Sequence, residues 1–338
     1  MSMKAIYIQG KYLKNPEEMK VETIPIPEPN KDQVLINVKA VGANFFDYLQ
    51  IQGKFQVKPE VPFTPGSELS GVVVKVGDSV TKFKVGDKVF GSIPWGAYAE
   101  YAVSEVSNLI KMPDTLTFEQ AAGIHITYPT GYTALVLRAK LQPGETVLVL
   151  AAAGGVGMAA VQIAKALGAT VIAAVGSESK FEVCKEMGAD HTINYSEKGW
   201  VNKVMKLTNG KGVDVIYDPV GNLREAFKCI AYHGRALVVG FAGGVYEKFM
   251  TVHILNKSAS ILGVVYNSYL RGENGSTDTE SEVWKGILDI IAKGSVKPIV
   301  FKTKYIGLER TADALNAIVN RQTYGKAVVI PTSSQPKM

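Results

Sequence analysis

The segment from Thr146 to Leu167 restricts the fold more than any other part of this 338-residue chain. Thr146-Val147-Leu148-Val149-Leu150 is an apolar run of strand length, Ala151-Ala152-Ala153-Gly154-Gly155-Val156-Gly157 is a turn of small residues, and Met158 onward reads as a helix. A strand that passes into a helix through such a turn brings backbone close to anything above the helix start. Unpaired N–H groups and the positive end of the helix dipole face that point. A pyrophosphate suits it, so Ala153, Gly154, Gly155, Val156 and Gly157 form a candidate dinucleotide cradle, although Ala152 stands where the usual fingerprint has its first glycine.

The flanking sequence gives this motif its context. Residues 1–120 read as short β segments, among them Lys4 to Gln9, Val34 to Ala40, Gly71 to Val76 and Lys88 to Phe90, split by proline and glycine in the manner of a barrel. Glu119 to Ile124 and Tyr132 to Lys140 read as helical. From Thr146 apolar strands alternate with helices: Thr146 to Leu150, Thr170 to Val175, His191 to Asn194, Val213 to Asp218, Arg235 to Gly240 and Ser260 to Val265. The fold class is therefore α/β, with a doubly wound parallel sheet preceded by a β-barrel domain. Beyond Tyr266, Arg271 to Thr279 reads as a loop, Glu282 to Lys293 as an amphipathic helix, Ala312 to Asn320 as a helix and Ala327 to Ile330 as a returning strand.

The end of the second strand of an α/β nucleotide domain distinguishes the nicotinamide cofactors, because an Asp or Glu there accepts hydrogen bonds from ribose hydroxyls and repels a 2′-phosphate. Here the strand runs into Gly176-Ser177-Glu178-Ser179-Lys180. Ser177 can donate to a 2′-phosphate and Lys180 can supply charge, which favours NADPH. Ser177 as a helix cap is compatible with that role. Glu178 pointing outward agrees with NADPH; pointing inward, it would serve NAD. Tyr195 closes the third strand, either over the adenine ribose or as a plain edge aromatic, and Gly240 and Phe241 end the fifth strand at the carboxyl edge, where such sheets bind ligands.

Composition removes several other classes. The net charge of +6 is spread among acids with no basic run, which argues against nucleic acid as a partner. Cys184 and Cys229 are too few for a disulfide framework or a structural zinc knot, no apolar stretch has membrane-spanning length, and the opening MSMKAIYIQG lacks the features of a signal peptide. The expectation is a cytoplasmic protein with no membrane partner.

These features, with Pro65-Gly66-Ser67-Glu68-Leu69-Ser70-Gly71, Val85-Gly86-Asp87-Lys88-Val89 and Gly96-Ala97-Tyr98-Ala99-Glu100-Tyr101, resemble the medium-chain dehydrogenase/reductases over nearly the whole chain. The loop Ala-Ala-x-Gly-Gly-Val-Gly, Ala40-Val41-Gly42-Ala43-Asn44-Phe45-Phe46-Asp47, Thr130-Gly131-Tyr132-Thr133-Ala134 and Gly325-Lys326-Ala327-Val328 look like the quinone oxidoreductase (zeta-crystallin-like) branch. That resemblance implies a GroES-like β-barrel catalytic domain at 1–124 and 267–338, a Rossmann NADPH-binding domain at 125–266, and an active site in the cleft between them. It also implies a homodimer through the edge strand Ser260 to Val265, with Tyr266 and Asn267 near the cleft mouth and the loop after Arg271 as a lid. The zinc alcohol dehydrogenases of the superfamily carry Cys where this chain has Asn44 and His where it has Ser67, and His125, His191, His233 and His253 do not rebuild a site, so no metal is expected.

In the resembled family Asn44 neighbours the nicotinamide ribose, Tyr48 and Thr130 are further candidates for orienting the substrate and supporting an oxyanion, and Val265 and Lys326 join the cofactor contacts. Thr130 could instead cap a helix, Tyr48 could be packing, and His125 could line the cleft. Asp47 and Glu68 read as structural partners and not as general acids. Without a Lewis acid, a quinone or other conjugated acceptor suits hydride transfer from NADPH better than an alcohol. Two other functions remain open: an enoyl or 2-alkenal double-bond reductase, and a non-catalytic NADPH-binding crystallin-like or RNA-binding protein.

Overall fold

The structure is a computed structural model and describes residues 1–266 and 278–331. Its contacts divide the chain into two units, Met1–Ile126 with Pro298–Met338, and Thr127–Lys297.

The first unit is built on β3 (Gln33–Gly42), after the short antiparallel pair β1 (Ser2–Ile6) and β2 (Val21–Pro25). Val34, Ile36, Val38 and Val41 are buried along it, because it is covered on both faces and paired on both edges. One neighbour is β4 (Glu68–Val76), which pairs in turn with β5 (Lys88–Ser92); β6 (Tyr101–Glu105) pairs with the other edge of β3, and β7 (Leu109–Lys111) with β5. The strand Val328–Ile330 returns to β3 and sets Val328 opposite Gly42, while on β4 Glu68 also stands opposite Gly42. Three separate segments thus converge at one point. A Cβ on Gly42 would lie 2.0 Å from the Ala122 carbonyl oxygen and 2.9 Å from Lys326 Cε, so only glycine permits that convergence.

In the second unit β8 (Thr146–Val149), β9 (Thr170–Val175), β10 (His191–Asn194), β11 (Val213–Asp218), β12 (Ile230–Val238) and β13 (Ser260–Gly263) form the parallel sheet expected from the alternation of strands and helices. Among the described residues their order is β10-β9-β8-β11-β12-β13, so the winding reverses between β8 and β11, where α/β sheets open a crevice at their carboxyl ends. The strand β12 begins at Ile230, ahead of the expected Arg235, and ends at Val238, leaving Gly240 and Phe241 in the following loop. No described helix is long and apolar enough to cross a membrane.

Two expectations need correction. The segment read as a helix from Tyr132 is an α-helix over Thr127–Tyr132 that widens into a π turn over Thr133–Arg138, so Thr130 lies inside a helix and does not cap one. The amphipathic helix is Asp278–Ala292, and it belongs to the second unit, not to the barrel segment 267–338 where the sequence reading had put it. Its buried face of Val283, Trp284, Ile287 and Ile291 explains why, together with Gly286, which lies beside Tyr132 of the same unit. Asn267 and the expected loop from Arg271 as far as residue 277 lie outside the described residues.

A Cβ at Gly286 would meet the Tyr132 hydroxyl at 2.2 Å and ring carbon Cζ at 2.4 Å. Replacing a mid-helix glycine by alanine ordinarily gains about 1 kcal/mol, but overpacking of this kind costs about 1–3 kcal/mol. Gly286→Ala is therefore expected to lower the urea midpoint, and Tyr132→Leu in the same chain to recover part of the loss. A more stable single variant would show that the Tyr132 ring does not dock the helix.

Candidate active site

In the second unit the phosphate cradle starts where β8 ends. Ala151 takes a left-handed backbone, φ 47°, and its carbonyl accepts the Gly154 N–H at 2.9 Å. That carbonyl points into the first turn of the helix Gly155–Ala166, and a Cβ on Gly157 would lie 2.3 Å from its oxygen. Gly157 is thus required for the helix to leave the strand so steeply. Ala153 and Gly157 are buried, whereas Gly154, Gly155 and Val156 are half-exposed at the helix start, where N–H groups have no carbonyl of the helix to bond.

Beside the cradle β9 and β10 end side by side. Tyr195 donates its N–H to the Val175 carbonyl at 3.0 Å, and its hydroxyl lies 3.7 Å from where a Cβ on Gly176 would be. Ser177 is exposed, and its hydroxyl pairs with that of Ser179 at 2.9 Å, so it precedes the 3₁₀ turn Glu178–Lys180 without capping it. Glu178 is exposed. Farther along the carboxyl edge lie Gly240, half-buried, Phe241, 42% exposed, and Val265, 64% exposed just beyond β13.

In the first unit two of the sequence candidates, Asn44 and Lys326, meet in one buried network at Gly42. Lys326 Nζ lies 2.6 Å from Glu68 Oε2 and donates to Asn44 Oδ1 at 2.5 Å. Asn44 Nδ2 donates to the Gly42 carbonyl at 3.0 Å and to Glu68 Oε2 at 3.3 Å, and Glu68 Oε1 accepts the Ile126 N–H at 3.0 Å. The ammonium fixes the amide, since a flipped Asn44 would set donor against donor. Both amide hydrogens are then taken, and what Asn44 can still offer a ligand is an acceptor lone pair. Tyr48, half-buried, lies on the helix Phe45–Ile51 that follows, its ring 6.3 Å from that of Phe45.

These residues do not fit a metal. The Ser67 hydroxyl donates to the Pro94 carbonyl at 3.1 Å, and Glu68 already faces an ammonium, which would repel a divalent cation. Among the described residues no three His, Cys, Asp or Glu side chains gather to hold one. His125 is buried edge-on to Phe90, and burial pushes its imidazole pKa down to about 3, so it stays neutral.

Sequence reasoning did not find Tyr98, which donates its hydroxyl to Asp47 Oδ2 at 3.0 Å. The same oxygen accepts the Asn44 N–H at 2.9 Å, while Oδ1 is buried without a partner among the described residues. Burial raises the Asp47 pKa to about 7, against the opposing effects of the Asn44 N–H, Lys326 and Tyr98. Below that value the folded chain keeps a proton that the unfolded chain, with a pKa of 3.8, has released. Stability therefore declines as pH rises from about 4 to about 7, and the loss is complete above that window. Asp47→Asn keeps one acceptor for both donors and cannot ionise. Its stability relative to the natural chain should thus grow by about 3 kcal/mol between pH 4.5 and 7.5 in urea titrations. A difference independent of pH would mean that Asp47 is ionised throughout.

Comparison with known proteins agrees with this architecture. Residues 30–114 match the family model described as alcohol dehydrogenase GroES-like domain, and residues 155–292 match that described as zinc-binding dehydrogenase. The chain is 36% identical over 321 residues to the quinone oxidoreductase of Rattus norvegicus, an alignment covering 93% of this chain and 94% of that one. It is 38% identical over 305 residues to the quinone oxidoreductase-like protein 2 homolog of Nematostella vectensis, covering 88% and 81%. The crystal structure of Escherichia coli quinone oxidoreductase complexed with NADPH superposes with a TM-score of 0.84 at 29% identity, over 98% of this chain and 100% of that one. A GroES-like domain and a Rossmann sheet with a glycine-rich cradle meet in one chain, which belongs to the quinone oxidoreductase family of the medium-chain dehydrogenase/reductases.

Proposed function

We propose that the chain is a zinc-independent, NADPH-dependent oxidoreductase that reduces quinones. What supports the reading is that Ser177 and Lys180 follow β9 and Tyr195 follows β10, on strands that run next to β8 and its cradle at Gly154–Gly157. Together they suit a dinucleotide with a ribose 2′-phosphate, and the NADPH complex of the E. coli relative supports it. NADPH, when bound, supplies the hydride. Asn44, held by Lys326, accepts a hydrogen bond from a ribose hydroxyl. Thr130 orients the carboxamide, and Tyr48 donates toward the developing oxyanion. Because the residues do not assemble a metal that could polarise a carbonyl, the acceptor has to be electrophilic itself, as a quinone is. Water protonates the product.

We further propose a homodimer through β13, which among the described residues is the edge strand of its sheet. Light scattering should give twice the chain mass of 36.5 kDa, and a single-chain mass would remove the proposal.

The deciding measurement is oxidation of NADPH and NADH with 1,4-benzoquinone, 9,10-phenanthrenequinone and trans-2-hexenal in parallel. NADPH-selective turnover of the quinones is expected. Turnover of the enal alone would reassign the chain as a double-bond reductase, and binding without turnover would remove the enzymatic reading. Lys180→Ala should weaken NADPH roughly tenfold, the worth of one charge-assisted contact, and leave NADH unchanged.

A further inference from the structure

At the carboxyl end of β11 one buried carboxylate organises two loops. Asp218 is 2% exposed, and among the described residues it pairs with no cation. Its two oxygens are instead filled by three successive backbone donors: Oδ1 accepts the N–H groups of Val220 and Gly221, each at 2.9 Å, and Oδ2 that of Asn222 at 2.8 Å. This wraps Pro219 to Asn222 into a tight turn with Gly221 at φ 85°. The outward carbonyls of the turn then grip the loop that follows β12. Pro219 accepts the Ala242 N–H at 3.1 Å, Val220 accepts the Gly243 N–H at 2.9 Å, and the Asp218 carbonyl accepts the Val239 and Gly240 N–H groups at 2.9 and 3.3 Å. Gly221 lies under the same loop, where a Cβ would meet the Val245 carbonyl oxygen at 2.7 Å and the Phe241 ring at 3.1 Å.

Burying a carboxylate without a cation is costly, and three N–H bonds offset that cost only in part. A turn needed merely to end a strand does not require it. The loop it holds carries Gly240 and the exposed Phe241, whose ring lies 4.8 Å from that of Tyr246, on the ligand-binding edge of the sheet. We infer that Asp218 is a positioning residue for the nicotinamide half of the cofactor, acting through the turn at Pro219–Asn222 on the loop of Gly240 and Phe241. The inference rests on the cofactor reading above and adds a residue to it.

Asp218→Asn preserves shape but turns one of the two filled acceptors into a donor facing a donor. Titration by protein fluorescence should show the Kd for NADPH rising roughly tenfold, the worth of a charged hydrogen bond. The Kd for adenosine 2′,5′-bisphosphate, which has no nicotinamide, should stay at the natural value. Gly221→Ala leaves the carboxylate in place, pushes on Phe241 directly, and should produce the same selective loss even if Asp218→Asn fails to fold. Equal weakening of both ligands in the variants, or unchanged NADPH binding, would overturn the assignment. A natural chain that binds adenosine 2′,5′-bisphosphate but neither NADPH nor NADH would defeat the cofactor reading itself, and this one with it.

Discussion

An ammonium buried against a carboxylate, Lys326 on Glu68, fixes the site in the first unit. It ties the end of β3, the start of β4 and the returning strand to one point, and it orients the amide of Asn44. A buried pair of this kind adds little net stability beyond its desolvation cost, but removing one partner strands a charge, so the arrangement is all or nothing. Gly42 belongs to the same constraint, because any side chain there would occupy the space in which the pair meets. The chemistry follows from that rigidity: an amide whose two hydrogens are already committed can recognise a hydroxyl and cannot stabilise an oxyanion.

The second unit solves a comparable problem without an ion pair, largely through backbone groups. At the cradle, a carbonyl turned back by the left-handed Ala151 meets a helix that begins with glycine. At the far side of the carboxyl edge, three N–H groups close on Asp218. In both places the ligand-facing loop is held by main-chain geometry and leaves its outward side chains unencumbered, which suits a surface that must fit a long, flexible dinucleotide without rearranging.

Much of this was legible in the residues. The strands of the second unit are apolar runs bounded by glycine, and a fully buried parallel sheet leaves that trace. The cradle was readable because its glycines serve local geometry. Glu68 was rightly read as an ion-pair partner, yet its pairing with Lys326 is set by strand register across most of the chain, which no local pattern encodes. Tyr98 was hidden for the same reason, as one more residue in an apolar strand approach. The helix Asp278–Ala292 had a clear amphipathic period, but a period reports that a face is buried and not which surface buries it. Thr130 was misplaced because the helix begins earlier, at Thr127, with Pro129 inside its first turn. Asp218 passed as a strand end; the Pro-Val-Gly that follows gave a hint of a turn but not of the carboxylate at its centre.

The first unit is interrupted in sequence, whereas Thr127–Lys297 is continuous. During synthesis the continuous unit is made before Pro298 and the residues after it, and can complete its sheet without them. The interrupted unit cannot: until Lys326 leaves the exit tunnel, Glu68 lacks the ammonium it faces and β3 lacks its second neighbour at Gly42. Lys326, which orients the Asn44 amide, is thus made 282 residues after it, and the barrel half completes this network only after the continuous unit has been made.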